Sequence, residues 1–184
     1  MKKILVTGVF GTGKTTLINM VEKRLKTLNK NVKTISEVAR ECPFKLNHEQ
    51  NAFSTSWLIM RQMENELKYA NENFDFIIYD RGLPDIIAHT KIVLKNDNND
   101  LLFYKKLEDL GKVSLENFDY IFLSKRSDKY VIQEDEIRVD DIGYQKSLED
   151  IHVEYLKSTG KYFIPLDEDN ESRLTQILEI IFEI

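Results

Sequence analysis

Short apolar runs alternate along the chain with longer stretches in which apolar residues recur every three or four positions. The runs are rich in β-branched and aromatic residues, which is typical of buried strands. They cover residues 3–6, 31–35, 74–80, 118–124 and 161–166. The periodic stretches predict amphipathic helices at about 14–28, 50–73, 86–94, 101–110, 144–156 and 172–182. This alternation predicts one α/β domain over residues 1–184, with a five-stranded parallel sheet and helices on both faces.

The predicted helix at 50–73 carries an apolar stripe at helical spacing. Its members are Phe53, Trp57, Met60, Leu67 and Ala70. We expect Trp57, Met60 and Met63 of this helix to pack into the core, because an amphipathic helix buries its apolar face. The alternative is that Phe53, Trp57 or Arg61 faces a binding pocket.

Composition and charge are those of an ordinary soluble domain. Of the 184 residues, 42% are hydrophobic and 31% are charged, and the net charge is −5. This acidic balance argues against a nucleic-acid partner, which needs a clustered basic face. No stretch approaches the roughly 18 apolar residues of a membrane span, so we expect no membrane association. The single cysteine, Cys42, excludes an internal disulfide and fits a cytoplasmic location.

The stretch GVFGTGKTT, residues 8–16, fits the pattern G-x-x-x-x-G-K-[ST] between a predicted strand and a predicted helix. Glycines let such a loop curl so that its N–H groups and the helix dipole bind phosphate oxygens. We therefore predict a site for ATP, with GTP as the alternative. Lys14 would act on the β- and γ-phosphates, and the Thr15 hydroxyl would bind Mg²⁺. The residues expected to contact the nucleotide are Gly8, Phe10, Gly11, Thr12, Gly13, Lys14, Thr15 and Thr16.

The third predicted strand ends in Asp80, and Arg81 follows it. Ligands of open parallel sheets bind at the carboxyl ends of the strands, so Asp80 would face the phosphate site and hold Mg²⁺ directly or through water. Arg81 is a candidate to bind the substrate. The alternative is that Asp80 only caps the next helix, although Asp85 could do that itself.

The segment SEVARE after the second predicted strand brings Glu37 to the same sheet edge, with Arg40 one turn further on. A carboxylate there could take a hydroxyl proton from a phosphoryl acceptor, and an arginine could bind that acceptor. The alternative is a carboxylate at a helix start beside a surface arginine.

The charged segment KRSDKYVIQEDEIRVDD follows the fourth predicted strand. We expect a lid at about 125–142, because phosphoryl-transfer enzymes exclude water from the reaction and need an arginine on the γ-phosphate. Arg138 is the candidate for that catalytic role, and Arg126 is a candidate for contact with the nucleotide. A solvated charged surface is the alternative.

Taken in order, these motifs resemble the P-loop small-molecule kinases of the nucleoside and nucleotide kinase group. The chain looks most like the ribosylnicotinamide kinase domain of the bacterial NAD-biosynthesis regulator and related AAA-type ATPases. The resemblance covers nearly the whole chain: GVFGTGKTTL, SEVARE, FIIYDRG, the segment that contains Asp135 and Arg138, and the closing YFIPLDEDNESRLTQILEII. It implies a P-loop NTPase three-layer sandwich, and it places the loop 167–170 near the base of the nucleotide.

One departure concerns the acceptor. The nicotinamide riboside kinases have Asp-x-Asp after the third strand, whereas Asp80 and Arg81 are more like the Asp-Arg pair of thymidylate kinases. An extra cation there favours a phosphorylated or otherwise anionic acceptor.

We therefore expect the strand order 2-3-1-4-5 and an ATP-dependent kinase that phosphorylates a small nucleoside- or nucleotide-like acceptor with Mg²⁺. Lys14, Asp80, Arg138 and Glu37 would be catalytic, with either Glu37 or Asp80 as the base, and Arg40 and Arg81 would bind the acceptor. The alternatives are a nucleotide-dependent switch that acts on a protein partner and a mechanical ATPase. The oligomeric state, a homodimer included, stays open.

Overall fold

The computed structural model describes residues 1–69, 71–94, 98–127 and 141–183, with only the backbone of Asn98. Its strands are β1 (Lys2–Thr7), β2 (Val32–Ile35), β3 (Phe76–Asp80), β4 (Tyr120–Leu123) and β5 (Ile164–Pro165). Its α-helices are α1 (Lys14–Thr27), α2 (Ala52–Lys68), α3 (Leu83–Val93), α4 (Asn98–Leu115), α5 (Ile142–Ser158) and α6 (Asn170–Phe182). Two short 3₁₀ helices, Val38–Glu41 and Asn47–Glu49, lie between β2 and α2.

The five strands form one parallel sheet in the order β2-β3-β1-β4-β5, as predicted. The first strand is central, and its Val6 lies opposite Asp80 of β3 and Phe122 of β4. Because all strands are parallel, the loops after β1, β2, β3 and β4 meet at one edge of the sheet. Every predicted site residue except those on the lid therefore comes to that edge or its first helical turn.

Helices cover both faces of the sheet, because successive strand residues point to opposite sides. Ile4 and Val6 pack with α1 and α6, whose Leu17 and Ile177 are fully buried. Leu5, Ile77 and Tyr79 point the other way, toward Leu115 of α4 and Leu156 of α5. The predicted three-layer sandwich is confirmed. Among the described residues, no helix is both long and apolar enough to cross a bilayer.

Of the α2 residues expected in the core, Trp57 and Met63 are partly buried and pack against an apolar cluster built largely from α2, α3 and α4, whereas Met60 does not. Met60 is 66% exposed, so the prediction is wrong for this residue. Phe53 and Leu67, which share the helical spacing, are 81% and 70% exposed, and Ala70 lies outside the described residues. The buried face of α2 instead combines two apolar side chains with several polar ones. These buried residues are Ser54, Thr55, Leu58, Ile59, Gln62, Asn65 and Glu66. Thr55, Gln62 and Glu66 have buried hydrogen-bond partners, a compensation that hydrophobic periodicity does not reveal.

Candidate active site

The loop between β1 and α1, residues 8–13, which we call the phosphate loop, owes its shape to three glycines. Gly8, Gly11 and Gly13 have φ of 133°, 71° and 76°, a region that other residues rarely adopt. A Cβ on Gly8 would lie 2.2 Å from the carbonyl oxygen of Ser124, the residue that follows β4. The loop therefore packs against the backbone beside β4 and delivers the chain to Lys14, where α1 begins. The unpaired N–H groups of this first turn favour an anion.

Lys14 lies beneath the loop and not in solvent. It is 4% exposed, and its Nζ donates to the carbonyl oxygen of Val9 and, over 3.3 Å, to Thr12 Oγ1. Burial, aided by the positive charge of Arg81, lowers the pKa of Lys14 to about 7. Since a nearby anion favours the charged form of an amine, a phosphate bound in the loop would restore the full charge of Lys14.

Thr15 and Asp80 meet at the start of α1. The Thr15 hydroxyl donates to Asp80 Oδ2 over 2.8 Å, and Asp80 is 6% exposed. Burial is the main reason that the pKa of Asp80 is raised, and a cation at this carboxylate would oppose that effect. Two adjacent oxygen donors fit Mg²⁺, which takes few protein ligands and completes its shell with phosphates and water. Among the described residues, no cluster of three or more His, Cys, Asp or Glu forms an alternative metal site.

Arg81 is held between two carboxylates. Its Nε lies 2.6 Å from Glu37 Oε1 as an ion pair that is not aligned as a hydrogen bond. Its Nη1 donates to the Gly8 carbonyl oxygen over 2.8 Å and to Asp85 Oδ1 over 3.2 Å. The backbone of Arg81 has φ of 73°, an uncommon and costly conformation for a residue with a side chain. The positive charge of Arg81, which was expected to favour an anionic acceptor, is thus already balanced by two carboxylates of the protein.

Asp85 holds Arg81 and the start of the phosphate loop together through several hydrogen bonds. Besides Arg81, its carboxylate accepts from Thr7 Oγ1 over 2.7 Å and from the N–H groups of Gly8 and Gly82 over 3.1 and 3.0 Å. The bond from Gly82 caps α3, as the sequence analysis allowed. Burial pushes the pKa of Asp85 upward, but nearby His152, Arg81 and Lys14 outweigh it and hold that pKa below its ordinary value. Asp85 therefore joins the phosphate loop, Arg81 and α3 into one unit.

His152 extends the buried network to α5. Its Nε2 lies 2.9 Å from Thr7 Oγ1, and the side chain is 2% exposed. Burial lowers the pKa of His152 to about 4 in spite of the opposing influence of Asp85. The imidazole is therefore neutral at physiological pH and serves as a hydrogen-bonding partner of Thr7.

A pocket opens beside the phosphate loop on the β2–β3 side of the sheet, and we call it the side pocket. Glu37, Arg81 and Asp85 form its polar end, next to Phe10 of the loop. Its walls are mainly apolar and come from the segment after β2, from α2 and from α3. The apolar wall residues include Val38, Leu46, Leu58 and Ile86. A concave, mostly apolar cavity with a few convergent polar groups is typical of a small-molecule site.

Two glutamines add hydrogen-bonding groups to the wall of the side pocket. Gln62 is 2% exposed, and its Nε2 lies 3.3 Å from Glu66 Oε1. The other oxygen of Glu66 accepts from Ser114 Oγ over 2.9 Å, and burial raises the pKa of Glu66. Gln50 is held in turn by two threonine hydroxyls, those of Thr55 and Thr90. Neither glutamine was predicted, because Gln62 is one polar residue among several on α2 and Gln50 stands in the connection before that helix.

The other predicted site residues lie further out. Arg40 is 48% exposed, with its Nε 3.9 Å from Glu37 Oε2, and Thr16 is exposed in the first turn of α1. The backbone N–H of Arg126 donates to Glu149 of α5 over 2.6 Å. The predicted lid residues Asp135 and Arg138 lie outside the described residues. Arg173 of α6 was not predicted as a site residue, although it is buried on the same face of the helix as Ile177 and Ile181.

Comparisons with known proteins can be set beside this geometry. Residues 3–173 match a family model described as an AAA domain. No curated protein matches the chain in sequence. The structure of deoxyadenosine kinase from M. mycoides, with the products dCMP and a flexible dCDP bound, has a TM-score of 0.75 at 21% identity and covers 99% of this chain and 100% of that one.

The NadR protein in complex with NR has a TM-score of 0.73 at 18% identity, over 99% of this chain and 51% of NadR. NadR in complex with NAD and AMP-PNP has a TM-score of 0.71 at 18% identity, over 99% and 49% of the two chains. The chain therefore spans about half the length of NadR. At these identities the likeness shows a shared fold.

Proposed function

Since the chain belongs to the AAA-domain family and has the fold of P-loop nucleoside kinases, we propose that it transfers the γ-phosphoryl group of ATP to a small nucleoside-like acceptor. The resemblance inferred from the sequence motifs is confirmed at the level of family and fold. The observation that carries the proposal further is the side pocket, which places the carboxylate of Glu37 beside the phosphate loop. A kinase needs such an acceptor pocket, whereas a nucleotide switch does not.

The phosphate loop and Lys14 would bind the triphosphate. Preorganised N–H groups and a buried ammonium stabilise charge that develops during transfer. A structural neighbour was solved with AMP-PNP, which supports ATP as the donor, with GTP kept as the alternative. Thr16 and Arg126 are the outer nucleotide contacts in this proposal.

Thr15 and Asp80 would hold Mg²⁺, since their oxygen atoms already lie 2.8 Å apart at the first turn of α1. The metal ion would supply charge neutralisation between the β- and γ-phosphates. The protein contributes the placement of these two ligands, which β3 and α1 bring to the same point on the sheet edge.

Glu37 is our candidate for the base that accepts the proton of the acceptor hydroxyl. Arg81 holds this carboxylate in place through the ion pair of 2.6 Å, and Asp85 holds Arg81. Asp80 is the alternative base, but in this proposal its carboxylate serves the metal ion. Arg40, at the rim, would contact the outer end of the acceptor.

The charge balance of the side pocket favours an acceptor without a phosphate. Arg81 is paired with both Glu37 and Asp85, so the polar end of the pocket carries no excess positive charge from this trio. A phosphate on the acceptor would meet one positive and two negative charges in this trio, and the nearby Arg40 already lies 3.9 Å from Glu37 Oε2, so the net charge of the trio would repel the phosphate. We therefore favour a nucleoside over the nucleotide that the Asp-Arg pair suggested.

Arg138 remains our candidate for the lid arginine that closes over the γ-phosphate. The proposed role comes from the sequence resemblance and from the need to exclude water during transfer. A switch that hydrolyses ATP or GTP slowly is the competing proposal, and acceptor-dependent transfer distinguishes the two.

The test is a thermal-shift screen of nucleosides, nucleotides and vitamin ribosides in the presence of AMP-PNP and Mg²⁺, followed by a transfer assay. An acceptor at 100 times its Kd should stabilise the protein by roughly 2.7 kcal/mol. Hits are then incubated with γ-labelled ATP, with Lys14→Met as the inactive control. Phosphorylated nucleoside supports the proposal. Label released only as phosphate, whatever acceptor is added, would contradict it and favour the switch.

A further inference from the structure

Arg173 connects three separate segments of the chain at the carboxyl edge of the sheet. Its side chain is 1% exposed on the first turn of α6. The Nε atom donates to the carbonyl oxygen of Asp167 over 2.6 Å, Nη1 to that of Thr12 over 2.6 Å, and Nη2 to that of Lys125 over 3.3 Å. One buried guanidinium therefore binds the phosphate loop, the segment after β4 and the loop before α6.

The planar guanidinium fixes how these segments lie relative to one another. Its N–H groups point in set directions within one plane, so three carbonyl oxygens that accept from it cannot shift independently. A second residue of the same helical turn reinforces the contact with the phosphate loop. Asn170 donates from Nδ2 to the carbonyl oxygen of Gly13 over 3.2 Å and accepts from Arg173 Nη1 over 3.3 Å.

The side of the sheet on which these segments lie assigns them to the donor nucleotide. The side pocket lies over β2 and β3, on one side of the central strand β1, whereas Lys125 and Asp167 follow β4 and β5 on the other side. A nucleotide whose phosphates occupy the central loop and whose γ-phosphate faces the side pocket must extend its ribose and base toward β4 and β5. Two of the three carbonyls bound by Arg173, those of Lys125 and Asp167, thus belong to the segments that the nucleoside half of the donor would contact.

We propose that Arg173 is a positioning residue for the donor nucleotide, which it serves by locking the segments after β4 and β5 to the phosphate loop. The inference rests on the proposed function, because it needs a nucleotide in the loop. It adds a residue that touches neither phosphate nor acceptor and that acts on the base side of the donor.

The experiment compares the binding of ATP with that of inorganic tripolyphosphate, both with Mg²⁺, by titration calorimetry. Tripolyphosphate reports on the phosphate loop, and ATP reports on the loop together with the base side. The variants are Arg173→Gln and Arg173→Lys, and the control is Arg24→Gln at an exposed position of α1. We expect Arg173→Gln to weaken ATP about tenfold more than tripolyphosphate, on the scale of one lost charge-assisted bond. Arg173→Lys should show an intermediate ratio, because an ammonium lacks the fork that reaches three carbonyls.

A residue with only a general stabilising role would lower the melting temperature or the active fraction and leave the ratio of the two affinities unchanged. An unchanged ratio in a folded variant therefore overturns the proposal, and so does failure of both variants to fold. If the unmodified protein binds neither ligand, the proposed function fails instead, and the two failures are distinguished by that measurement.

Discussion

Arg81 Nε lies 2.6 Å from Glu37 Oε1, although the two residues follow different strands and are 44 positions apart in the chain. The ion pair forms because β2 and β3 are parallel neighbours, so their following residues come to the same point. It turns Arg81 from an apparent ligand for an anion into a support for the carboxylate. In the proposed function, this pair sets the charge that an acceptor in the side pocket would meet.

Glu37→Gln keeps the size of the side chain but removes the charge that would take a proton. We expect the rate of phosphoryl transfer to fall by roughly 10²–10⁴-fold, the usual contribution of a general base, with ATP affinity nearly unchanged. The assay is single-turnover transfer together with ATP titration, and Glu41→Gln, on the 3₁₀ helix that follows Glu37, serves as the control. Transfer within a few-fold of the unmodified protein would show that Glu37 is not the base.

Asp80→Asn should separate nucleotide binding from metal dependence. The amide oxygen can still accept from Thr15, so the loop should keep its shape, but a neutral ligand binds Mg²⁺ poorly. We expect AMP-PNP to bind without metal as before and to lose the increase in affinity that Mg²⁺ provides. Calorimetric titrations at several Mg²⁺ concentrations measure this, with exposed Asp109→Asn as the matched control. A normal response to Mg²⁺ would remove Asp80 from the metal site.

Lys14→Met should weaken ATP binding without destabilising the fold. The ammonium is buried with a pKa lowered to about 7, so its removal relieves a desolvation cost while the methionine keeps most of the stem. Loss of a charge-assisted bond to phosphate should reduce ATP affinity by about 10–100-fold, with an equal or higher melting temperature. Unchanged ATP affinity would refute the assignment of Lys14 to the phosphate site.

His152 should make the protein sensitive to mild acid. Its pKa is near 6.5 when unfolded and about 4 when folded, so the unfolded chain binds the proton first as the pH falls. Stability is therefore complete above about pH 6.5 and is lost as the pH falls toward 4, by on the order of 3 kcal/mol. Denaturant unfolding at pH 7 and pH 4.5 should show a smaller difference for His152→Gln than for the unmodified protein. His48→Gln, at an exposed position, should not change that difference. The same loss of unfolding free energy between the two pH values in all three proteins would contradict the prediction.

Much of the fold could be predicted from the sequence because its signals are local. Strand and helix periods are encoded within a few residues, and the glycine-rich loop must stand between a strand and a helix to work. The contact between Thr15 and Asp80 could also be anticipated. Asp80 ends β3, and Thr15 lies in the first turn of the helix that follows the neighbouring parallel strand β1.

Met60 of α2, expected in the core and 66% exposed, shows where local periodicity misleads. The same helical pattern describes a face that packs inward and one that stays in water, and the choice depends on what lies opposite. In α2 the inward face carries Gln62 and Glu66. Gln62 donates a hydrogen bond to Glu66, and Ser114 on α4 donates another to the same carboxylate. The sequence of residues 50–73 alone does not predict that Ser114 is the partner of Glu66.

By itself, the sequence determined the parallel α/β sheet, the phosphate loop and the chemical kinds of residue available at the sheet edge. The pairing of those residues was decided only by folding: Arg81 with Glu37 and Asp85, and Arg173 with three backbone carbonyls. The reason is physical. The interaction energy of a charged side chain depends mainly on the groups within a few ångströms of it. Such groups can be far away in the sequence, since Thr12, which binds Arg173 in the phosphate loop, lies 161 positions away along the chain.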